Sequence, residues 1–540
     1  MLKWSFHRDL KSRRRRRQSR SAEQLETRAL LSTFYVNGDT GQTGNTGAAD
    51  SPFATIDDGI RAAMASPGDD EVVIEPTDQP YTENIVLTLD GGEGWGYPEM
   101  NGDLIIRGST GNSQDVVLSS TYGINILSEA AIDVTIADLT IRDSGNHGIE
   151  QRGTGVFTVD GVHVDSAGKG STYYSGIAHL NGSLVVRNST LSNNYQGIWS
   201  VNYLQNVAPA SLTVENTITR SNLNHGIYSS GVTGEVSVTN LQSTGHRYTG
   251  TYVANAGAVT ISGGAFTGNT GNGITLNQIQ GDINLLDVSA SQNGSSGIAI
   301  AKSQAVNIVG GTLAGNTRQG VHASDVASIS IDGTSLTGNG ADGVVAIRVA
   351  GAVQINDITA TDNTLSGAAA IFSGPVTVTN SVLNSNGGRG LYVNEAETAS
   401  ITTSEFADNL IQGALLRETP NVQISDSSFT GNTLNGLILP LANGAMLDNL
   451  VVENNGTVTG TAQVGGAGIN INPVTSAPIT ISNSSIRNNL TRWYGAGLEV
   501  WMNATATPVL ANVSVSNTAI DGNTIGEGAT KAGAGVSVRG

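Results

Sequence analysis

The residues of this chain best suited to chemistry are aromatic, and they recur at a fixed distance from a repeated glycine. Two positions after Gly148, Gly176, Gly197, Gly226 and Gly250 stand Glu150, Ala178, Trp199, Tyr228 and Tyr252. Three rings in one column are conspicuous in a chain with only 5% aromatic residues. Tyr173, Tyr174, Tyr195, Tyr203 and Tyr248 fall in neighbouring turns, among His147, His179, His225, His246 and Arg247. Exposed rings stack on the faces of sugars, and a row of them would follow an extended chain. The expected carbohydrate contacts are therefore Trp199, Tyr228, Tyr252, Tyr195, Tyr203 and Tyr248. The alternative is a surface ladder that only stiffens a sheet. If a reaction occurs there, Arg247 is the available basic residue, with His246 beside it. His147 and His225 share the column just before the glycine, but three repeats separate them, which is too far for a dyad.

Carboxylates are less pointed. Glu395 and Glu418 occupy the fifth position after the glycine in adjacent repeats. Two carboxylates at sheet spacing can share a proton or hold calcium, and exposed ones equally splay apart into solvent. Lys302, Asp325 and Arg348 precede them in the same column as an outward charge ladder. Ten before the glycine come Gly263, Asp287, Gly310, Gly333, Asp357, Asn380, Thr403 and Asp426, a turn composition. No zinc-type histidine spacing occurs. Apart from calcium at the two glutamates, no cofactor is expected.

The element that must position these residues is set by the period. Seventeen glycines mark it, the central ones at 250, 273, 297, 320, 343, 367, 390, 413 and 436, in steps of 23 or 24. Ile261, Leu285, Ile308, Ile331, Ile355, Val378, Ile401 and Ile424 lie twelve before it. Phe266, Leu313, Leu336, Leu383, Phe406 and Phe429 lie seven before. Asparagine lies four before it, at 193, 222, 269, 293, 316, 339, 363, 386, 409 and 432. Such columns predict an all-β fold, a right-handed single-stranded parallel β-helix with three short strands and three turns per coil. Coils stacked at about 4.8 Å give a rod of roughly 80 Å. The Leu-x-x-Leu-x-Leu pattern of leucine-rich repeats is missing.

Composition agrees. The chain has 69 glycines among 540 residues, 13% charged residues and no cysteine. Disulfides and thiolate metal sites are thereby excluded. Residues 1–31 carry ten Lys/Arg and three Asp/Glu, a net of +7; the overall charge of −18 leaves −25 for the rest. An acidic body excludes nucleic acid as a partner. No run of eighteen apolar residues exists, so no transmembrane helix is expected.

The divisions read as a basic disordered leader over 1–32, an N-terminal cap over 33–84 with a helix over 53–66, and the β-helix over 85–540. Ser51 is the expected cap of that helix and Pro52 its first turn. Leu25-Glu26-Thr27-Arg28-Ala29-Leu30-Leu31, after the run Arg13–Arg17, resembles the LEPR-XLL leader, with threonine where that family has proline. The resemblance implies bacterial export to the envelope or beyond. Tyr35-Val36, Gly38-Asp39, Pro52-Phe53-Ala54-Thr55-Ile56, Pro67-Gly68-Asp69 and Tyr81-Thr82-Glu83-Asn84-Ile85 together resemble the DUF1565 type of opening segment, which implies a β-helix behind it.

The whole architecture resembles the pectate-lyase-like superfamily, which holds lyases, hydrolases, epimerases and non-enzymes. Asn146-His147-Gly148 and Asn224-His225-Gly226 approach the polygalacturonase pattern but lack its aspartates. The expected function is therefore an exported or cell-surface rod that binds polysaccharide or cell-surface glycan without turning it over. A polysaccharide lyase or hydrolase in the same groove is the alternative, favoured by the long inserts at 456–466, 490–495 and 524–534, which can wall a cleft. A structural spacer is the third reading. Gly533 to Gly540 reads as mid-coil sequence, so either an end-to-end contact or further C-terminal sequence is expected.

Overall fold

A computed structural model describes residues 31–87, 100, 102–126, 131–168, 174–203, 208–456, 468–492, 495–502, 511–526 and 533–539. Nearly every element is a short parallel strand, and the strands stack coil on coil into three columns. The coil after Gly413 is representative. Ala414–Arg417 lies in the front sheet, Pro420–Ser425 in the back sheet and Ser428–Thr430 in the side sheet. Each pairs in register with its counterpart one coil further on.

The corners between these strands explain the turn columns. Glu418, Asp426 and Gly431 take φ of 50°, 51° and 66°. The same left-handed conformation holds along all three corner columns, including Thr403 at 51°, Phe372 at 55° and Leu441 at 60°. A residue with a Cβ costs roughly 1–2 kcal/mol there. The hydrogen bonds of the coils above and below over-determine the backbone and hold it.

The repeated glycine answers a different constraint. A Cβ on Gly320 would stand 2.7 Å from the carbonyl oxygen of Gly343 in the next coil and 3.1 Å from the Asn339 amide nitrogen. Only glycine lets adjacent coils approach this closely.

Inside, the expected aliphatic columns are buried, and the rings of Phe406 and Phe429 stack 4.9 Å apart at 7°. Beside them runs an asparagine ladder. The Asn316 backbone N–H and side-chain amide both donate to Asn339 Oδ1, at 3.1 and 3.0 Å. Its amide also donates to the Ala290 carbonyl. The arrangement repeats from Asn269 to Asn523. Two corrections follow. The member in the coil of Gly197 is the buried Asn194, not the exposed Asn193, because that coil is shorter and Asn193 makes the corner. In the coil of Gly250 the ladder position is held by His246.

At the N-terminus the back sheet already begins with Ser32–Val36, paired to Asp70–Ile74 and then Leu104–Gly108. The helix α1 spans Ile56–Ala65, and its cap is Thr55, whose hydroxyl accepts from Asp58 N at 3.1 Å. Ser51 is not the cap: Phe53 N donates to the Tyr35 carbonyl, which holds this stretch extended against the first strand. The Glu83 carboxylate accepts from Ile56 N and Asp57 N, both at 3.0 Å, and so satisfies further donors of the first turn. Ile56, Ile60 and Ala63 are buried against the first coils. Among the described residues no helix is long and apolar enough to cross a membrane. The leader motif up to Leu30, and most of the inserts at 456–466 and 524–534, lie outside the described residues.

Asn339→Ala would strand the Asn316 N–H and the Leu313 carbonyl in the interior. It is expected to lower the unfolding free energy by roughly 3 kcal/mol in urea titrations. Arg187→Ala, which breaks a largely exposed pair with Asp160, should leave the midpoint nearly unchanged. Equal effects of the two substitutions would show that the ladder does not carry the stacking.

Candidate functional site

The outward column is real. Ala178, Trp199, Tyr228 and Tyr252 pair in register on the front sheet. Their backbones point alternate residues inward, so Ile177, Ile198 and Ile227 are buried while Trp199, Tyr228 and Tyr252 are half-buried on the outer face.

The rings are not all open to a ligand. Tyr228 and Tyr252 stack on each other at 5.0 Å and 6°, so they present edges and hydroxyls and not a free inner face. Burial, and then the neighbouring Tyr252, raise the Tyr228 hydroxyl above its ordinary range. His225 packs against Tyr228, Tyr248 and Tyr252. One face of Trp199 is covered by His147, parallel at 5.7 Å.

The wider opening lies at the N-terminal end of the row. A pocket of about 580 Å³ is lined by His147, Glu150, Tyr174, Tyr195, Trp199 and Tyr203, with Arg152 and Gln196. Tyr203 stands at its margin, 70% exposed and 5.9 Å from the Trp199 ring. Two other hollows on the rod, one along Asp282, Ala305 and Ser328 and one along Asn380, Glu405 and Asp426, have no aromatic residue in their lining.

Within the pocket the charges are tied down. Arg152 Nε donates to Glu150 Oε1 at 2.6 Å. The Ser175 N–H donates to His147 Nδ1 at 2.9 Å, which leaves the ring proton to Nε2. Burial is the main force holding His147 below the usual histidine range; nearby Glu150 pulls the other way. The pocket thus offers one neutral imidazole, one internal ion pair, a buried amide and several rings. That set can hydrogen-bond and stack against a polyol.

The remaining candidates are placed as follows. Tyr195 is in the pocket, while Tyr248 is exposed in the turn beside His225. Arg247 is exposed on that turn. His246 does not face the groove. It is 1% exposed, its Nδ1 accepts from Asn222 N, and Nε2 contacts Thr219 Oγ1 at 3.2 Å. A ladder role is incompatible with acid–base work on an external ligand, so the pairing of His246 with Arg247 is corrected. His179 is likewise interior: its Nε2 donates to the Gly182 carbonyl, and Nδ1 accepts from Ser200. Tyr173 lies outside the described residues.

Glu395 and Glu418 sit on adjacent corners, but Glu418 is held by its neighbour Arg417 and Glu395 by Asn394. No group of three or more His, Asp or Glu side chains able to hold a metal occurs among the described residues. The residues that sequence reasoning missed are Glu150, Arg152 and Gln196. Glu150 stood in the aromatic column, and its partner two positions on was the available signal.

The family model for the right handed beta helix region matches residues 203–336, 296–455 and 342–525, in overlapping registers as a repeat should. No curated protein matches the chain. Among solved structures it is similar to the mannuronan C-5 epimerase A-module of Azotobacter vinelandii, at 13% identity over 87% of this chain and 95% of that one, TM-score 0.27. It is also similar to a pectate lyase, at 13% identity over 91% and 79%, TM-score 0.14. A third is an α-1,3-glucanase from Streptomyces thermodiastaticus, at 12% identity over 86% and 65%, TM-score 0.16.

Burial sets a pH dependence. His179 and His246 are held at about 4 in the folded chain, against an ordinary 6.5. Above pH 6.5 neither state is protonated there and stability is full. As pH falls from 6.5 towards 4 the unfolded chain takes up protons that the folded chain refuses. Each histidine then removes about 1.4 kcal/mol of stability per pH unit. His246→Asn restores the ladder residue and should reduce the acid slope by that amount in denaturant titrations. An unchanged slope would place His246 in contact with solvent.

Proposed function

The chain belongs to the right-handed β-helix family, and from that footing we propose that it binds an extended polysaccharide on its front sheet without turning it over. The observation that carries this reading is the pocket floored by Trp199 and walled by Tyr174, Tyr195 and Tyr203. Rings bury the apolar faces of sugars, while Glu150, Arg152, Gln196 and the Nε2 proton of His147 offer hydrogen bonds to hydroxyls. The row of Tyr228 and Tyr252 extends the contact along the rod, with phenol edges and hydroxyls in place of open faces.

Electrostatics favour a neutral glycan. The chain carries −18 overall, and the pocket arginine is already paired with Glu150. A polyuronate would meet a repelling field, and among the described lining residues no free cation offsets it. The leader resemblance supports export to the bacterial envelope or beyond.

A second reading, turnover in the same pocket, is favoured by one observation: the Nε2–H of His147 and the Glu150 carboxylate line the same pocket, a proton donor and a proton acceptor for one ligand. The same experiment separates the two. The full chain is presented to cellulose, xylan, mannan, alginate and pectate, with retention and released products both measured. Retention on a neutral polymer without products is expected. Trp199→Ala and Tyr203→Ala should each weaken it about tenfold or more, as central aromatic contacts do. Products that vanish in His147→Ala would establish the enzyme; retention unchanged in both aromatic variants would remove the pocket from the function.

A further inference from the structure

The front sheet carries a second patch with the same construction. Following the outward column from Trp199 through Tyr228, Tyr252, Thr275, Ala299, His322, Val345 and Ala369 leads after eight coil steps to Tyr392. At about 4.8 Å per coil the two aromatic positions lie roughly 38 Å apart. Beyond Tyr252 five coils carry no tyrosine or tryptophan in this column; at Tyr392 the phenol returns, and Leu415 follows it on the next coil.

The flanking column matches as well. The residue immediately before the glycine lines the first pocket through His147 and Gln196. Gln196 is 7% exposed, and its Oε1 has no hydrogen-bond partner. In the second patch this column supplies Arg389 and Gln412. Gln412 is also 7% exposed with an unpartnered Oε1, and the Arg389 Nε is buried and unpartnered too. The Arg389 guanidinium lies 5.0 Å from the centre of the Tyr392 ring. A buried acceptor and a buried donor left idle beside an aromatic ring indicate a missing polar partner.

We propose that Tyr392, Arg389 and Gln412 form a second binding site for the same extended glycan, so that one chain lying along the rod engages both sites. The inference rests on the glycan reading of the first pocket. Its geometry is favourable, because the rise of one coil is close to the length of one extended pyranose unit. A chain parallel to the axis therefore keeps the same column under it at each sugar, and the second contact becomes intramolecular once the first is made.

The test is titration calorimetry of the full chain with cellohexaose, xylohexaose and mannohexaose, each too short to bridge the sites, and with the parent polymers. The hexaose that binds is expected to occupy two sites per chain. Tyr392→Ala and Arg389→Ala should each leave one site, and Trp199→Ala should leave the other. The polymer should bind the unaltered chain about tenfold or more tightly than the hexaose, and each variant should lose that gain. One site, abolished by Trp199→Ala and untouched by Tyr392→Ala and Arg389→Ala, would overturn the second site and leave the first reading standing. One site dependent on Tyr392 and Arg389 but not on Trp199 would overturn the first reading and with it the bridging chain. Binding of none of the three hexaoses would overturn both.

Discussion

The side chain of a buried asparagine is the joint on which the rod depends. From Asn293 to Asn489 each ladder amide closes four hydrogen bonds: at Asn316, Oδ1 accepts from the backbone N–H and the side-chain amide of Asn293, and Nδ2 donates both to the Ala290 carbonyl and to Asn339. Backbone polar groups at this corner are turned inwards, where water cannot satisfy them, so the ladder is compulsory rather than decorative. It also sets the register. Strand side chains alternate with a period of two, and a slip of one residue would turn Trp199 inwards and Ile198 out. The outward rows of the front sheet are therefore a consequence of the ladder.

The corners impose the complementary constraint. Three left-handed residues per coil fold a flat strand into a closed triangle, and the chain accepts Thr403, Phe372 and Leu441 there as well as glycine, aspartate and asparagine. A coil can then lengthen between the corner and the next glycine without disturbing the stack. The ladder passes from Asn455 to Asn489 to Asn523 across steps of 34 residues with hydrogen bonds as short as those in coils of 23.

Much of this was legible because columns are a one-dimensional signal. The repeated glycine and the aliphatic positions carried the fold directly. Where the reading failed, a local cue outweighed the column. Ser51-Pro52 has the composition of a helix start, yet Thr55, three residues before the Asp58 N–H, has the geometry. His246 suggested chemistry by residue type, although its position four before Gly250 already assigned it to the ladder. Asn455, Asn489 and Asn523 were missed because their distance to the next glycine is not fixed. A turn-forming residue directly followed by asparagine, as in Gly268-Asn269 or Asn488-Asn489, is the better signature. The outward position of Trp199, Tyr228 and Tyr252 was also readable, but not whether the rings face a ligand or each other. That depends on rotamers and on partners two coils away, such as His147 over Trp199, which no spacing rule encodes.

The aromatic coils differ from the rest in what lies beneath them. Beside Glu150, Ala178, Trp199 and Tyr228 the interior column runs Gln151, His179, Ser200 and Ser229, with Thr251 in the adjoining interior column, whereas the coil of Tyr252 and later coils place Val253, Leu276, Ile300 and Ala323 there. Gln151 Oε1, Ser229 Oγ and Thr251 Oγ1 are buried without a protein partner. Such a core gains less from burial than an aliphatic one and holds idle polar atoms that water must serve. In a solenoid the stability of one coil is drawn largely from its neighbours, so a polar stretch can persist between two apolar ones. The groove therefore sits on coils with a more polar interior than the central coils that follow. Local opening should be easier beneath the pocket than in those central coils, and a ligand that spans several coils would suppress it by tying each to the next.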